Sequence, residues 1–486
     1  MSFRRLLFVA LMATSLSATA AVVKVVDTNG QALAGVNVLI GTAAGQPFSG
    51  NQLTTDANGQ FTTPAGWTEA MPVTIEGNDL VRTTFMATLP NVGQLKISRA
   101  DGNQKIEIQG TLTDYGQIRT DGKLDAGAFI PALPRNQLLY FDVGWLVSPE
   151  FDTLRIMGRE IAIPSNLAVP EQRESYIVPI TFNKPNFRMF VRRPGQYRFM
   201  AIHGQFPLKR VVDDYRSGAP AYDIMNHGTL LQSGYVDLNV AGPIRNLSVP
   251  VNQATFTNDV IVQAPPMAAD DVVLSVAMSE IDGGALLPSD VKRLRNGQPQ
   301  TLKAPANKGT PLALSAWMKE RNTNRSRMQP LGALTAEDLM NLPFDLFYDV
   351  FQDKFEIQAA TVDYKQLSFA THTRPGQAPQ FVSLISPPQV SGSRLNLSVP
   401  TAPTNVKPLA TLVMYSSIKL NRRGEIQTEE RTRLWEVWTS GWVSSLDLPN
   451  LPALQKSQAD KFRWEVLYLG QDGQDITHVS RNAVDL

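Results

Sequence analysis

The sequence predicts a mainly β chain, a series of antiparallel β-sandwich domains with one small helical insert. Three observations lead there. Short runs of alternating apolar and polar residues recur along the chain, and a period of two marks a half-buried strand. Gly and Pro number 33 each among 486 residues, with Pro above its ordinary ~5%, and they fall between the runs as turns. Only one segment repeats its apolar residues at helical spacing. At about 100–200 residues per domain, the length predicts three or four domains, each able to close a core.

Composition narrows function before any motif is considered. The absence of Cys excludes disulfide scaffolds, thiolate zinc sites, iron–sulfur clusters, cysteine nucleophiles and lipidated cysteines. Lys and Arg number 45 against 44 Asp and Glu, which gives no electrostatic reason to expect nucleic acid as a partner. The apolar fraction of 43% is too high for a disordered chain.

Residues 1–20 read as a secretory signal peptide. Arg4 and Arg5 precede the apolar run Leu6–Ala13, and Ala18-Thr19-Ala20 supplies the small residues before a cleavage site. The run is too short to cross ~30 Å of hydrocarbon. Cleavage leaves 43 cationic against 44 anionic side chains. No later apolar run is long enough to span a membrane, and Asn482–Leu486 carries no anchor signal. The expectation is a soluble exported protein, periplasmic or extracellular. The lack of disulfides in a compartment that permits them points to a bacterial source. Asn246 and Asn396 would be glycosylation acceptors in a eukaryotic one.

Residues 21–104 alternate strand runs with turns. Val22–Val26 leads to Asp27-Thr28-Asn29-Gly30, and Val36, Val38 and Ile40 share a face. Asp56-Ala57-Asn58-Gly59 separates Leu53-Thr54-Thr55 from Gln60-Phe61-Thr62. Asn-Gly at both turns predicts tight hairpins with two central residues at positive φ. Asp27 and Asp56 read as turn-forming side chains, with cation binding as the alternative. The pattern Val25-Val26-Asp27-x-x-Gly30-x-x-Leu33-x-Gly35-Val36-x-Val38, followed by Thr54-Thr55-Asp56-x-x-Gly59-x-Phe61, resembles the carboxypeptidase regulatory-like domain of the transthyretin-like group. The resemblance covers this module alone. It implies a compact β-sandwich without peptidase chemistry, appended to an exported bacterial protein as an accessory domain.

Residues 105–245 read as a larger β domain with decorated loops. Strands are expected at Lys105–Gln109, Gln137–Val147, Ser175–Phe182, Phe187–Arg192, Gly195–Ile202 and Gly234–Val240, with a short helix at Leu208–Tyr215. Residues 246–392 form a further β domain and residues 393–486 an Ig-like sandwich. Ile244–Pro250 and Arg394–Pro400 echo one another, which leaves duplication open. The helical insert lies near 335–353: Thr335–Asp338 has the form of a capping box, Leu339, Leu342, Leu346, Phe347 and Val350 make one apolar face, and Pro343 interrupts it. Lys319–Arg327 is polar and net positive. It reads as an exposed loop, with a phosphate or polyanion site as the alternative.

Catalytic and metal residues are not predicted, nor is a cofactor. His203, His227, His372 and His478 form no metal-binding motif, and no nucleophile elbow, phosphate loop or dinucleotide fingerprint occurs. Glu150 with Asp152 and Asp213 with Asp214 are the carboxylate pairs that a glycosidase could use, and these two and Asp270 with Asp271 all read first as solvated turn or helix-end charges. The ligand-binding candidates are Trp438 and Trp442. On a single strand over Leu434–Val443 they would share the wetter face with Glu436 and Ser440, as a platform for sugar rings or an anchor for a protein. The resulting expectation is an exported, non-catalytic envelope or extracellular protein that binds a surface polymer, glycan or protein partner or acts structurally. The alternatives are a hydrolase of glycans and a subunit of an export or surface-assembly complex.

Overall fold

The computed structural model describes residues 21–486 apart from 329–353, the stretches 44–46, 69–70, 87–92, 101–104, 119–121, 135–137, 140–147, 157–158, 174–180, 282–284, 307–310, 373–375, 424–425, 455–458 and 474–476, and a few positions between 117 and 225. The expected signal peptide, the helical insert and most of the strand expected at 137–147 lie outside the described residues. The fold is mainly β, with 62% of the described residues in strands and 2% in helices. No helix among the described residues is long and apolar enough to cross a membrane.

The chain divides into two compact units. The first contains residues up to Arg99 together with Trp435–Ser440 and Leu448–Leu454. Val22–Asp27 pairs antiparallel with Gln60–Thr62 and parallel with Gln94–Ile97. A second sheet runs Asn51–Thr54, Asn37–Ile40, Val73–Glu76, Arg82–Met86. Alternation aims Val23, Val25, Val38, Ile40, Phe61, Val73, Ile75, Leu95 and Ile97 into one core drawn from both sheets.

The Asn-Gly turns differ from the expected hairpins. Gly30 and Gly59 have φ of 82° and 72°, whereas Asn29 and Asn58 are not at positive φ. The cause is the preceding aspartate. Asp27 Oδ1 accepts from the amides of Asn29 and Gln31 at 2.9 and 3.0 Å, and Asp56 Oδ1 from those of Asn58 and Gln60 at 2.9 and 2.8 Å. These bonds hold the central residues right-handed and leave only Gly to reverse the chain. The second turn carries the chain between different sheets, whereas the first is closed by a short antiparallel bridge of Val26 to Ala32.

The edge of the second sheet is covered by a strand from far along the sequence. Trp435–Thr439 runs parallel to Arg82–Met86. Trp435 is 8% exposed, and its indole N–H donates to Thr84 Oγ1 at 2.9 Å. Arg82 pairs with Glu76 at 2.9 Å and donates to the carbonyl of Pro452 at 2.8 Å.

The second unit holds the remaining residues. Eight strands, ordered Arg159–Pro164, Phe151–Ile156, Thr181–Lys184, Leu167–Arg173, Lys123–Pro131, Gly195–Pro207, Thr229–Val240 and Ala254–Thr255, form one sheet. Ile106–Thr113, between Asn186–Val191 and Ile244–Pro250, forms another. Phe129 stacks on Phe187 and Phe199, ring centroids 4.1 and 4.8 Å away, in a core with Ile108 and Val249. A longer sheet runs Ala285–Arg293, Asp271–Ile281, Pro311–Met328, Leu367–His372, Thr477–Asp485, Lys461–Gln471 and Lys407–Arg423. Leu367–His372 pairs with Thr477–Asp485, so pairing runs across residues 392/393, and Ile244–Pro250 itself spans 245/246.

Lys319–Arg327 is a strand, not the expected loop. It lies in the distal half of Pro311–Met328, where Glu320–Met328 pairs residue for residue with Lys354–Val362 and Lys319 pairs with Asp271. Backbone ladder bonds need no apolar side chains, so a polar run extends a strand wherever a partner lies beside it. The echoing segments pair differently: Ile244–Pro250 runs parallel to Ile106–Thr113, while Arg394–Asn396 is antiparallel to Gln389–Ser391.

One close approach gives a test. Register shifts between Ile244 and Leu247, where Asn246 takes a φ of 58°, and a Cβ on Gly110 would come 2.1 Å from the carbonyl oxygen of Leu247. Gly110→Ala is expected to destabilise the chain by about 1–3 kcal/mol through forced backbone movement. Chemical denaturation checks this, and a wild-type midpoint would refute the close approach.

Candidate functional site

Trp438 and Trp442 do not share a strand face. The strand Ile426–Ser440 ends where Gly441 adopts a φ of 67°, so Trp442 lies beyond it. Trp438 belongs to the first unit and Trp442 to the second. Trp438 is half-buried, its indole nitrogen 3.4 Å from Glu436 Oε2. Trp442 is also half-buried, donates to the carbonyl of Leu469 at 2.7 Å and meets the Tyr468 ring edge-on. Glu436 is 2% exposed, yet its face carries the half-buried Trp438 and the exposed Ser440, whereas Trp435, Val437 and Thr439 on the opposite face are all buried.

The carboxylate pairs are committed to cations. Glu150 binds Lys105 at 2.5 Å. Asp152 pairs with Arg188 and reaches Lys184 at 3.2 Å. Burial lowers the affinity of Lys184 for its proton, and Asp152 opposes that effect. Asp270 and Asp271 both hold Lys319, at 2.9 and 2.8 Å, and Asp271 accepts from the Trp317 indole at 2.7 Å. The third pair differs, because Asp214 lies 2.5 Å from His227 Nε2. Asp27, the cation-site alternative, is occupied by its turn amides and by Arg99 at 3.0 Å. Among the described residues no group of three His, Cys, Asp or Glu side chains is placed to hold a metal.

Sequence reasoning missed a buried polar cluster. Asp125 Oδ1 lies 2.9 Å from His203 Nε2 and accepts from Gln205 at 3.1 Å. The Tyr115 ring stands edge-on to His203 at 4.8 Å. Burial first, and then the Asp125 charge, pushes the Tyr115 phenol well above its ordinary range. The period of two held the signal: Asp125 shares a strand face with Phe129, which is fully buried.

A charge network of several shared ion pairs lies on the long sheet. Asp485 receives Arg463 Nε at 2.6 Å, Lys365 at 2.6 Å and Lys461 at 2.8 Å. Glu429 holds Lys461 at 2.6 Å and Arg463 at 2.8 Å. Farther along the sheet, Glu465 pairs with Arg431 at 2.5 Å, and Arg481 Nε lies 3.8 Å away. Asp485 borders a pocket of about 360 Å³ whose wall includes Arg321, Asp363, Lys365, Gln366 and Asn482. Asp363 caps the turn there, accepting from the Lys365 amide at 3.0 Å. Arg321 stands 3.7 Å from Asp363.

No protein-family model matches the chain, and no curated protein does. Among solved structures, a streptococcal ancillary pilin is aligned over 62% of this chain and 89% of its own, at 10% identity and a TM-score of 0.15. A superposition at that score establishes no shared fold.

The network sets a pH dependence. Burial draws the Asp485 carboxyl upward, but hydrogen bonds from Arg463, Lys365 and Lys461 outweigh it and hold the group well below the usual carboxylate range. A depressed value stabilises the fold above the ordinary ~3.9, and that stabilisation disappears as pH falls through the lowered value. Asp485→Asn is therefore expected to lose about 1–3 kcal/mol at neutral pH, with the gap to wild type closing in strong acid. Paired melts across pH check this, and a gap that widens on acidification would contradict it.

Proposed function

We propose that the chain is an exported, non-catalytic β protein of a bacterial envelope or of the extracellular space, which binds a surface polymer, glycan or protein partner. The observation that carries this reading is the fate of the candidate acids: Glu150, Asp152, Asp270 and Asp271 are all held by cations. A carboxylate whose oxygens are engaged by Lys or Arg is not placed to hydrogen-bond a leaving group or an attacking water. The signal peptide and the accessory module read at 21–104 support export and an appended binding role. The reading also agrees with a fold built almost wholly of strands.

A glycan hydrolase is the second reading, and the contact of Asp214 with His227 favours it. Hydrogen-bonded carboxylate and imidazole can hold and pass a proton.

Co-sedimentation separates the two. The purified chain, residues 21–486, is expected to pellet with isolated envelope polymer and to release no new reducing ends from it. Reducing-end release that Asp214→Asn abolishes would overturn the non-catalytic reading.

A further inference from the structure

The pocket beside Asp485 has the wall of a site for a charged, hydroxyl-rich ligand. Its volume of about 360 Å³ lies at the small end of ligand sites, about 300–1,000 Å³, and suits one sugar ring with its substituents. The wall carries two cations, Arg321 and Lys365, two carboxylates, Asp363 and Asp485, and the amides of Gln366 and Asn482. Tyr364, in the same turn, is 36% exposed.

The two cations are held differently. Lys365 is drawn 2.6 Å from Asp485, which also serves Lys461 and Arg463. Arg321 is 59% exposed on its side chain and stands 3.7 Å from Asp363, beyond hydrogen-bond length. Its planar fork suits a carboxylate or phosphate, which it can bind through two parallel N–H groups. Behind the wall, Glu429 offsets part of the charge of Lys461 and Arg463. Arg321, Lys365, Lys461 and Arg463 together outnumber Asp363, Asp485 and Glu429 by one positive charge. An incoming anion therefore gains, whereas an incoming cation meets the excess.

We infer that this pocket binds one anionic sugar residue of a glycan, with Arg321 taking its carboxylate or phosphate and Asp363 accepting from its hydroxyls. The inference rests on the surface-binding reading above and names its ligand class. Both substituents present the same chemistry to Arg321, and separate arms of the test tell them apart.

The experiment is calorimetric titration of the full chain, residues 21–486, with trigalacturonate, glucose 6-phosphate, neutral galactotriose and inorganic phosphate. At least one acidic sugar is expected to bind, ten-fold or more tightly than galactotriose and than inorganic phosphate, and to weaken with added salt. The tighter acidic arm identifies the substituent. Arg321→Gln should cost at least ten-fold in that affinity while leaving the melting temperature unchanged, because the backbone of Arg321, not its exposed side chain, makes the pairing with Thr361. Equal binding of galactotriose, equal binding of bare phosphate, wild-type affinity in Arg321→Gln, or no binding of either acidic sugar would each overturn the inference. Co-sedimentation with envelope polymer that survives Arg321→Gln would leave the surface-binding reading standing while removing this pocket from it.

Discussion

One non-local pairing completes the N-terminal unit. Its second sheet ends at Arg82–Met86, and an open edge there would leave a row of backbone N–H and C=O groups without partners. Trp435–Thr439 takes that edge in parallel, and the indole of Trp435 reaches Thr84, 351 residues away in sequence. The same strand, Ile426–Ser440, begins in the second unit. The N-terminal module is thus not a bead that ends near residue 104. A chain cut there would keep both aspartate turns and every strand before them and lose the strand that closes its sheet.

Interior charge is the second organising feature. A chain without cysteine must hold its sheets by packing and hydrogen bonds alone. In Lys461–Gln471 both faces are covered, because Trp464, Val466 and Tyr468 are buried on one side and Arg463 and Glu465 on the other. Burying Arg463 and Glu465 without partners would cost several kcal/mol each. Asp485 and Glu429 answer the first, and Arg431 answers the second. The near balance of charge in the composition is, in this sheet, a local balance of paired side chains, and where it reaches the surface at Lys365 and Arg321 it borders a polar pocket.

Local signals were legible and non-local ones were not. The runs read at Lys105–Gln109 and Gly195–Ile202 overlap the longer strands Ile106–Thr113 and Gly195–Pro207, and Asp27 and Asp56 read correctly as turn formers because an aspartate bonds amides within its own turn. The polar segment 319–327 misled because its strand state depends on Lys354–Val362 lying beside it, not on its own side chains. The tryptophan pair misled because one left-handed glycine, Gly441, ends the strand between its members. The pairing of Arg82–Met86 with Trp435–Thr439 was not legible in either segment, since neither the backbone ladder nor the single indole contact of Trp435 with Thr84 follows from local pattern. Asp125 with His203 lies between these cases: the strand period exposes the inward aspartate, but only the fold brings the imidazole to it.

The claim that the N-terminal unit depends on its distant strand is tested most directly by hydrogen exchange read by mass spectrometry on residues 73–86. In the intact chain these amides should be strongly protected. In Val437→Pro, which cannot donate to the ladder opposite Thr84, protection of Arg82–Met86 should fall by at least ten-fold, while that of Ile106–Thr113 is retained. Unchanged protection at Arg82–Met86 in that variant would contradict the account.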